Sequence, residues 1–321
     1  MNSQNPYEIS FWHEILNEFI ASVDGFITRN FLYSNAEMPD DIRSLEIELW
    51  DIYRKLPFEN DLNSLNGIEK RLLEMRDIIC EHAPLHKQAT DFTEYSESDF
   101  KRALEKCCKT LTKNKFPADK PQAFLLGGQS GAGKTTIHDI IQRQNPNIIV
   151  LDGDRFRAYH PNFDEIQEKH GEASANYTQK FSNSIVNTLM KKFRDERFNL
   201  IIEGTCRTAE VPLNTCRMLK EKGYSVNLAV MCTDKKTALQ STINRYNKMK
   251  SLGITPRAVP RDKFEETVKA IPENISLLYR SGEFDNILLF NRQNECLYEL
   301  KKQPQLNPAD IVKRELNGNH D

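Results

Sequence analysis

The sequence lacks the features that mark several large classes of protein. No apolar run approaches the roughly 18 residues that span a bilayer, and the polar start MNSQNPYEIS has neither the basic nor the apolar region of a signal peptide. Lysine and arginine number 44 against 46 aspartates and glutamates, which argues against a surface built to coat nucleic acid. We therefore expect a cytoplasmic protein with no membrane contact and no nucleic-acid ligand.

Cysteine shows no metal-binding pattern. The chain has seven cysteines, an odd number, and none of them forms a C-x-x-C pair. We expect reduced thiols, mostly buried, and no metal ion held by cysteine.

The 321 residues suffice for two domains, and the first part of the chain predicts only helices. Apolar residues recur three or four positions apart in three blocks. The first block starts near Phe11, the second runs from an N-cap at Asp40 to Pro57, and the third covers residues 68–79. Three amphipathic helices with short connections predict a small all-α bundle.

A polar stretch without periodicity, residues 86–97, predicts a linker. We place a helical domain at residues 1–88 and a second domain at residues 89–321, which opens with a helix capped by Ser96. After Pro117, helical stretches alternate with five short apolar runs: AFLLGG, NIIVLDGD, FNLIIEG, SVNLAVMC and DNILLF. This alternation predicts an α/β fold with a mostly parallel sheet flanked by helices.

The first predicted strand leads directly into GGQSGAGKTT, which satisfies the pattern G-x-x-x-x-G-K-[ST]. In this pattern the glycines turn backbone N–H groups toward phosphates, Lys134 reaches the terminal phosphates and Thr135 can bind Mg²⁺. The alternative is a glycine-rich turn of another α/β fold. The predicted nucleotide-binding residues are Gly128, Gln129, Ser130, Gly131, Ala132, Gly133, Lys134, Thr135 and Thr136.

Carboxylates follow two other predicted strands. NIIVLDGD ends in Asp152 and Asp154, and FNLIIEG carries Glu203 directly after its last apolar residue. Because functional groups of parallel sheets lie beyond the carboxyl ends of the strands, we expect these side chains near the glycine-rich loop. Phosphoryl transfer to an alcohol needs a carboxylate near the hydroxyl proton. Together with the glycine-rich loop, these carboxylates therefore favour a kinase, and the alternative is that they only form turns or helix caps.

Arg245 and Arg257 flank a Gly-Ile-Thr-Pro break between two predicted helices. A lid at this break can bring both guanidinium groups over a transferring phosphate. Lys248 and Arg261 belong to the same basic stretch but are typical of a solvated helix face.

Motifs between Pro121 and Arg292 follow one another in a characteristic order: QAFLLGGQSGAGKTT, VLDGDRFRAYHPNFDE, NLIIEGTCRTAEVPLNT, INRYNKM, TPRAVP and FDNILLFNR. This order resembles the zeta toxins, the kinase half of bacterial epsilon/zeta toxin–antitoxin systems. The resemblance implies an ATP- and Mg²⁺-dependent kinase that phosphorylates UDP-N-acetylglucosamine on the 3′-hydroxyl of the amino sugar and so blocks cell-wall synthesis.

The resemblance also implies catalytic roles, position by position. Lys134 and Thr135 hold the phosphates and the metal, and Asp154 is the base that accepts the proton of the sugar hydroxyl. Arg245 and Arg257 stabilise the migrating phosphoryl group.

For the acceptor, the resemblance implies that Glu203 and Thr215 contact the nucleotide sugar. Asn187 stands where at least some relatives carry an acidic sugar contact, and its amide can still hydrogen-bond a hydroxyl. The residues alone leave two other functions open. One is a P-loop kinase for another hydroxyl, on a nucleoside, an antibiotic or a polynucleotide end, and the other is a nucleotide-dependent switch that transfers nothing.

The opening segment YEISFWHEILNEFIASV resembles the first helix of epsilon antitoxins. This resemblance implies that toxin and antitoxin share one chain and that the helix contacts and obstructs the nucleotide site. A flexible linker gives a tethered inhibitor an effective concentration of about millimolar, so even weak docking would silence the kinase. The alternative is a helical bundle without an inhibitory role.

Overall fold

The computed structural model describes residues 6–34, 37–83, 94–254, 256 and 258–318. It opens with three helices, α1 (Pro6–Ile27), α2 (Asp40–Lys55) and α3 (Leu62–His82), and a π-helical segment, Thr28–Tyr33, extends α1. The predicted small all-α bundle is confirmed. The boundary between residues 88 and 89 and most of the predicted linker, residues 86–93, lie outside the described residues. Of the linker's described part, residues 94–96 have no regular structure and Glu97 is already the first residue of the next helix.

The start of α2 differs from the prediction by one residue. Asp40 is already helical, and Pro39 occupies the N-cap position with extended backbone angles. An aspartate in the first turn still favours the helix, because its charge faces the positive end of the helix dipole. The end of α2 agrees with the prediction, since Pro57 lies in a 3₁₀ turn directly after the helix.

Within the described residues, six strands form one sheet. They are β1 (Gln122–Gly127), β2 (Ile148–Leu151), β3 (Asn199–Ile202), β4 (Ser225–Met231), β5 (Asn286–Phe290) and β6 (Cys296–Glu299), in the spatial order β2-β3-β1-β4-β5-β6. The first five pair in parallel and correspond to the five apolar runs, so the α/β prediction is confirmed. The sixth, β6, pairs antiparallel at the edge. Its sequence CLYE is short and has one buried position, which is why periodicity did not predict it.

Helices cover both faces of the sheet. They are α4 (Glu97–Thr112), α5 (Lys134–Gln144), α6 (Phe163–His170), α7 (Ser174–Asp195), α8 (Glu210–Lys220), α9 (Lys235–Ser251), α10 (Arg261–Arg280) and α11 (Ala309–Asn317). Because successive side chains of a strand point to opposite faces, Leu125 belongs to one apolar core and Leu126 to the other. None of the described helices is both long and apolar enough to cross a bilayer.

The cysteines form no disulfide bonds, as predicted. All seven are free thiols. The buried ones are Cys107, Cys206, Cys216 and Cys232.

The helical bundle packs directly on the α/β part. Met249, Leu252 and Ile254, at the end of α9, share an apolar cluster with α1, α2 and α3. On α1, Gly25 lies so close to the 3₁₀ turn Arg155–Tyr159 that a β-carbon would overlap the carbonyl group of Ala158. Only glycine permits this approach.

A buried charge network joins the bundle to α4. The ammonium group of Lys106 lies 2.9 Å from the Asp24 carboxylate and 2.5 Å from the Glu46 carboxylate. Asp24 is fully buried and also accepts hydrogen bonds from the Trp50 indole, at 3.2 Å, and from the Tyr159 hydroxyl. Burial acts to lower the pKa of Lys106, but the two carboxylates outweigh it and raise the pKa, so the side chain stays charged.

Replacing Lys106 with Met should lower the free energy of unfolding by about 3–5 kcal/mol, because it leaves the Asp24 carboxylate buried without its cation. Denaturant unfolding followed by circular dichroism measures the change. Lys109→Met on the exposed face of the same helix is the matched control and should change stability by less than about 0.5 kcal/mol. Equal stability of the two variants would contradict the role given to the network.

Candidate active site

The glycine-rich loop joins β1 to α5 and has the geometry of a phosphate cradle. Gly128, Gly131 and Gly133 adopt positive φ angles of 125°, 72° and 95°, which other residues rarely adopt. Gly131 packs against the backbone carbonyl of Ala238, leaving no room for a β-carbon. The Lys134 ammonium curls back to the carbonyl oxygens of residues 128 and 129, at 3.3 and 3.4 Å. The predicted order of strand, loop and helix is confirmed.

Two buried hydrogen bonds fix this loop to the end of β4. The Gln129 side-chain amide donates to the backbone oxygen of Thr233 at 2.6 Å, and the Thr233 hydroxyl donates to the backbone oxygen of Ala132 at 2.7 Å. The loop is therefore preorganised by the sheet itself.

A single cavity of about 530 Å³ collects most of the predicted site residues, a volume typical of small-molecule sites. The predicted residues that line it are Ser130, Gly131, Gly133, Lys134, Thr135, Asp154, Glu203, Thr215 and Arg245. On its other side the wall is formed by α1, through Glu14, Asn17, Glu18 and Ala21.

Asp154 lies just beyond β2, and its carboxylate is oriented by a neighbouring arginine. The Arg157 Nε atom donates to Asp154 Oδ1 at 2.9 Å, and Arg157 Nη1 donates to the backbone oxygen of Ala175 at 2.6 Å. The backbone N–H of Asp154 donates to Asp152 Oδ1 at 2.9 Å. This side chain can accept a proton from a hydroxyl group in the cavity.

Glu203 follows β3 and pairs with a histidine on α5. Its Oε1 atom lies 2.9 Å from His138 Nε2. Burial acts to raise the pKa of Glu203, but the charge of His138 outweighs it and the pKa is lowered. Burial likewise acts to lower the pKa of His138, while Glu203 and Asp152 raise it. The pair is therefore a carboxylate and an imidazolium over a wider pH range than either group alone.

The remaining predicted residues have different positions. Arg245 is buried on α9 and pairs with the Glu14 carboxylate of α1. Arg257 lies outside the described residues, so its role stays a prediction. Asn187 is exposed on α7 and does not line the cavity, whereas Asn183, one helical turn earlier, does. Counting back from Glu203 without gaps thus reaches a position one turn away from the cavity.

Sequence reasoning missed three arginine and histidine side chains at this site. Arg157 has a weak local signal, since it is three residues from Asp154. His138 meets Glu203 and Arg292 approaches Gly133 across long sequence separations, which no local pattern reveals.

The loop at Lys134 and the carboxylate at Asp154 share one cavity at the carboxyl edge of a parallel sheet, an arrangement found in the class of P-loop nucleotide-binding proteins, which includes the P-loop kinases. Within that class, a family model described as Zeta toxin matches residues 108–303.

Curated relatives and a solved structure agree with this match. Toxin zeta of Streptococcus agalactiae is 37% identical over 229 residues, which cover 71% of this chain and 80% of the relative. Toxin PezT of Streptococcus pneumoniae is 38% identical over 230 residues, which cover 71% and 90%. A structure from the PezAT chromosomal toxin–antitoxin system of S. pneumoniae aligns with a TM-score of 0.64 at 35% identity, covering 71% of this chain and 90% of that one.

The chain belongs to the zeta toxin family, and the resemblance found in its motifs is confirmed. This membership identifies a toxin of the kinase type with a nucleotide-binding P-loop.

Replacing Glu203 with Gln should lower the pKa of His138, because burial remains while the neighbouring negative charge is lost. NMR titration of the histidine imidazoles measures this pKa directly. Glu210→Gln, at an exposed position of α8, is the matched control and should leave it unchanged. An unchanged His138 pKa in the Glu203 variant would contradict the pairing.

The same pair sets a pH dependence of stability. The stabilisation from the raised pKa of His138 is complete below the ordinary histidine pKa of about 6.5 and is lost as the pH rises through the folded-state value. In the Glu203→Gln variant, the free energy of unfolding should not show this fall with rising pH.

Proposed function

We propose that this protein transfers the γ-phosphate of ATP to the 3′-hydroxyl of the amino sugar of UDP-N-acetylglucosamine, and that its helical bundle inhibits the reaction in cis. The supporting observation is that Lys134, Asp154 and Glu203 line one cavity. A phosphate-binding cation, a proton acceptor and a further polar contact are the parts that transfer to a sugar hydroxyl requires.

On the donor side, the loop N–H groups and Lys134 bind the phosphates. The Thr135 hydroxyl, in the first turn of α5 and facing the cavity, would hold Mg²⁺. The other ligands of such an ion would be phosphate oxygens and water. When bound, the ion neutralises phosphate charge.

On the acceptor side, Asp154 accepts the proton of the attacking hydroxyl, and Arg157 fixes the direction of its carboxylate. Glu203 and Thr215 contact the nucleotide sugar. Asn187 was predicted for the same role, but Asn183 is the amide that lines the cavity and we assign the contact to it.

Arg245 and Arg257 stabilise the negative charge that develops on the migrating phosphoryl group. Preorganised guanidinium groups act most strongly where water is excluded, and Arg245 is only 4% exposed. In this structure its charge is met by Glu14 of α1 instead.

The contacts of α1 support inhibition in cis. The Ser10 hydroxyl accepts a hydrogen bond at 2.6 Å from Thr136, directly after the predicted metal ligand. His13 Nδ1 lies 2.6 Å from the Asp139 carboxylate, one turn further along α5. Glu14 also pairs with Arg245. The first half of α1 therefore contacts side chains on both sides of the phosphate site. A nucleotide would have to displace these contacts before it could bind.

We further propose that residues 1–88 are the inhibitory domain and residues 89–321 the kinase domain. Both substrates of the proposed reaction are cytoplasmic metabolites, so we place the protein in the cytoplasm.

Asp154→Asn should leave ATP binding intact and lower sugar phosphorylation by a factor of about 10² to 10⁴, because it removes the proton acceptor and keeps the side-chain shape. The test uses the full chain with Glu14→Ala to weaken inhibition. Mass spectrometry follows the phosphorylated sugar, and calorimetry follows ATP. Loss of ATP binding would contradict the role of base.

The same assay tests the acceptor. A panel of UDP-N-acetylglucosamine, nucleosides, aminoglycosides and oligonucleotides is incubated with the Glu14→Ala chain and ATP. Phosphorylation of another alcohol in place of the nucleotide sugar would show a kinase of different specificity.

Glu14→Ala should tighten ATP binding by about tenfold to a hundredfold and make expression toxic in a walled bacterium, because Arg245 loses its intramolecular partner. Glu8→Ala, at an exposed position of the same helix, is the matched control. The Glu14→Ala chain with Lys134→Ala controls for toxicity unrelated to transfer. Equal ATP affinity and equal toxicity of the Glu8 and Glu14 variants would show that α1 is not an inhibitor.

A further inference from the structure

Arg292 lies beside the phosphate loop and has no part in the mechanism above. It follows β5 by two residues, at the carboxyl edge of the sheet. A β-carbon on Gly133 would lie 4.0 Å from its Nε atom, so the guanidinium is in van der Waals reach of the loop backbone at the start of α5.

The N–H groups of Arg292 are incompletely used in this structure. Nη2 donates to the Ser241 hydroxyl at 2.7 Å. Nε and Nη1 are shielded from solvent and find no hydrogen-bond acceptor among the described residues. Shielded donors without acceptors are costly, so a state in which a ligand supplies acceptors would favour this side chain.

The face of the Arg292 guanidinium is covered by an aromatic ring from α1. Its Cζ atom lies 3.7 Å from the centre of the Tyr7 ring, a stacking distance. The Tyr7 hydroxyl is 2.9 Å from Ser241 Oγ, the same atom that Arg292 contacts. Tyr7 is thus held against the guanidinium by its ring and by its hydroxyl group.

We propose that Arg292 is a nucleotide-binding residue and that the purine base of ATP stacks on the guanidinium face that Tyr7 covers here. The proposal rests on the nucleotide site proposed above. The loop would hold the phosphates at the start of α5, and a nucleotide whose base extends from there along the carboxyl edge toward the end of β5 would reach Arg292. A planar guanidinium stacks on a purine as it does on a phenol ring, and its edge can donate to nucleotide oxygens.

Tyr7 then acts as a substitute for the base. The inhibitory helix would compete with ATP at both ends of the nucleotide, through Tyr7 at the base and through Ser10 and Glu14 near the phosphates. The rival explanation is that Arg292 serves only as an anchor for Tyr7.

The test has to separate these two roles, because substituting Arg292 alone would remove both a nucleotide contact and an inhibitory contact. We therefore start from the full chain with Tyr7→Ala. In this background, Arg292→Gln should weaken ATP binding by about fivefold to thirtyfold, while binding of inorganic tripolyphosphate changes by less than about twofold. Arg280→Gln, at an exposed position of α10, should change neither.

Arg292→Lys is the second variant and guards against a folding defect, since it keeps the positive charge at this partly buried position. It loses the planar face and should therefore weaken ATP binding nearly as much as the Gln variant. Isothermal calorimetry gives the affinities, and melting temperatures confirm that each variant is folded.

Equal ATP affinity of the Tyr7→Ala chain with and without either Arg292 substitution would overturn the proposal and leave Arg292 as an anchor. Equal losses for ATP and tripolyphosphate would also overturn it, in favour of a phosphate contact. Lys134→Ala in the Tyr7→Ala chain tests the proposed nucleotide site itself, since it should abolish binding of both ATP and tripolyphosphate. If Lys134→Ala binds ATP normally, the proposed nucleotide site itself is wrong.

Discussion

Parallel pairing of the central strands is the constraint on which the site depends. The strands β2, β3 and β1 lie side by side with their carboxyl ends on one edge of the sheet. Three separate segments that follow them, with Asp154, Glu203 and the glycine-rich loop, therefore meet at one cavity. A chain that kept these motifs but lost the register of the sheet would lose the site, because loop residues alone cannot hold distances of a few ångströms.

The cavity also shows how several carboxylates coexist in a confined space. Each of the two acidic side chains expected to touch the acceptor has its own cation: Arg157 for Asp154 and His138 for Glu203. Lys134 is a further positive charge that lowers the pKa of Glu203. Without these partners, like charges would raise one carboxyl pKa and protonate a group that is needed in its ionised form. The side chains that orient the site thus also keep it charged.

The sequence predicted those parts of the fold and the site that depend on local patterns. Buried parallel strands are continuous apolar runs, and a phosphate loop is a contiguous motif, so both could be read directly. Contacts between residues that are far apart in the sequence could not be predicted in this way. His138 on α5 meets Glu203 at the end of β3. Asn183 lines the cavity and Asn187 does not, because the orientation of α7 about its own axis decides which of its residues face the cavity. The exposed edge strand β6 has too little buried surface to leave a periodic signal.

The helical bundle makes extensive contacts with the α/β part, so its docking would not depend on the high effective concentration that a flexible tether supplies. The two halves of α1 use different kinds of contact. The second half carries Asp24 in its buried charge network and Gly25 in a close backbone approach, contacts that are costly to break because they leave a buried charge or a void.

The first half of α1 meets the kinase differently, through polar and stacking contacts of Tyr7, Ser10 and Glu14 with the site itself. In the proposed mode of binding, a nucleotide would offer phosphate oxygens and an aromatic base to the same groups, and these would compensate in part for the contacts it displaces. If inhibition in cis holds, its release is therefore expected to require displacement of the first half of the helix while the second half stays packed. Residues 1–88 would then remain part of the active enzyme.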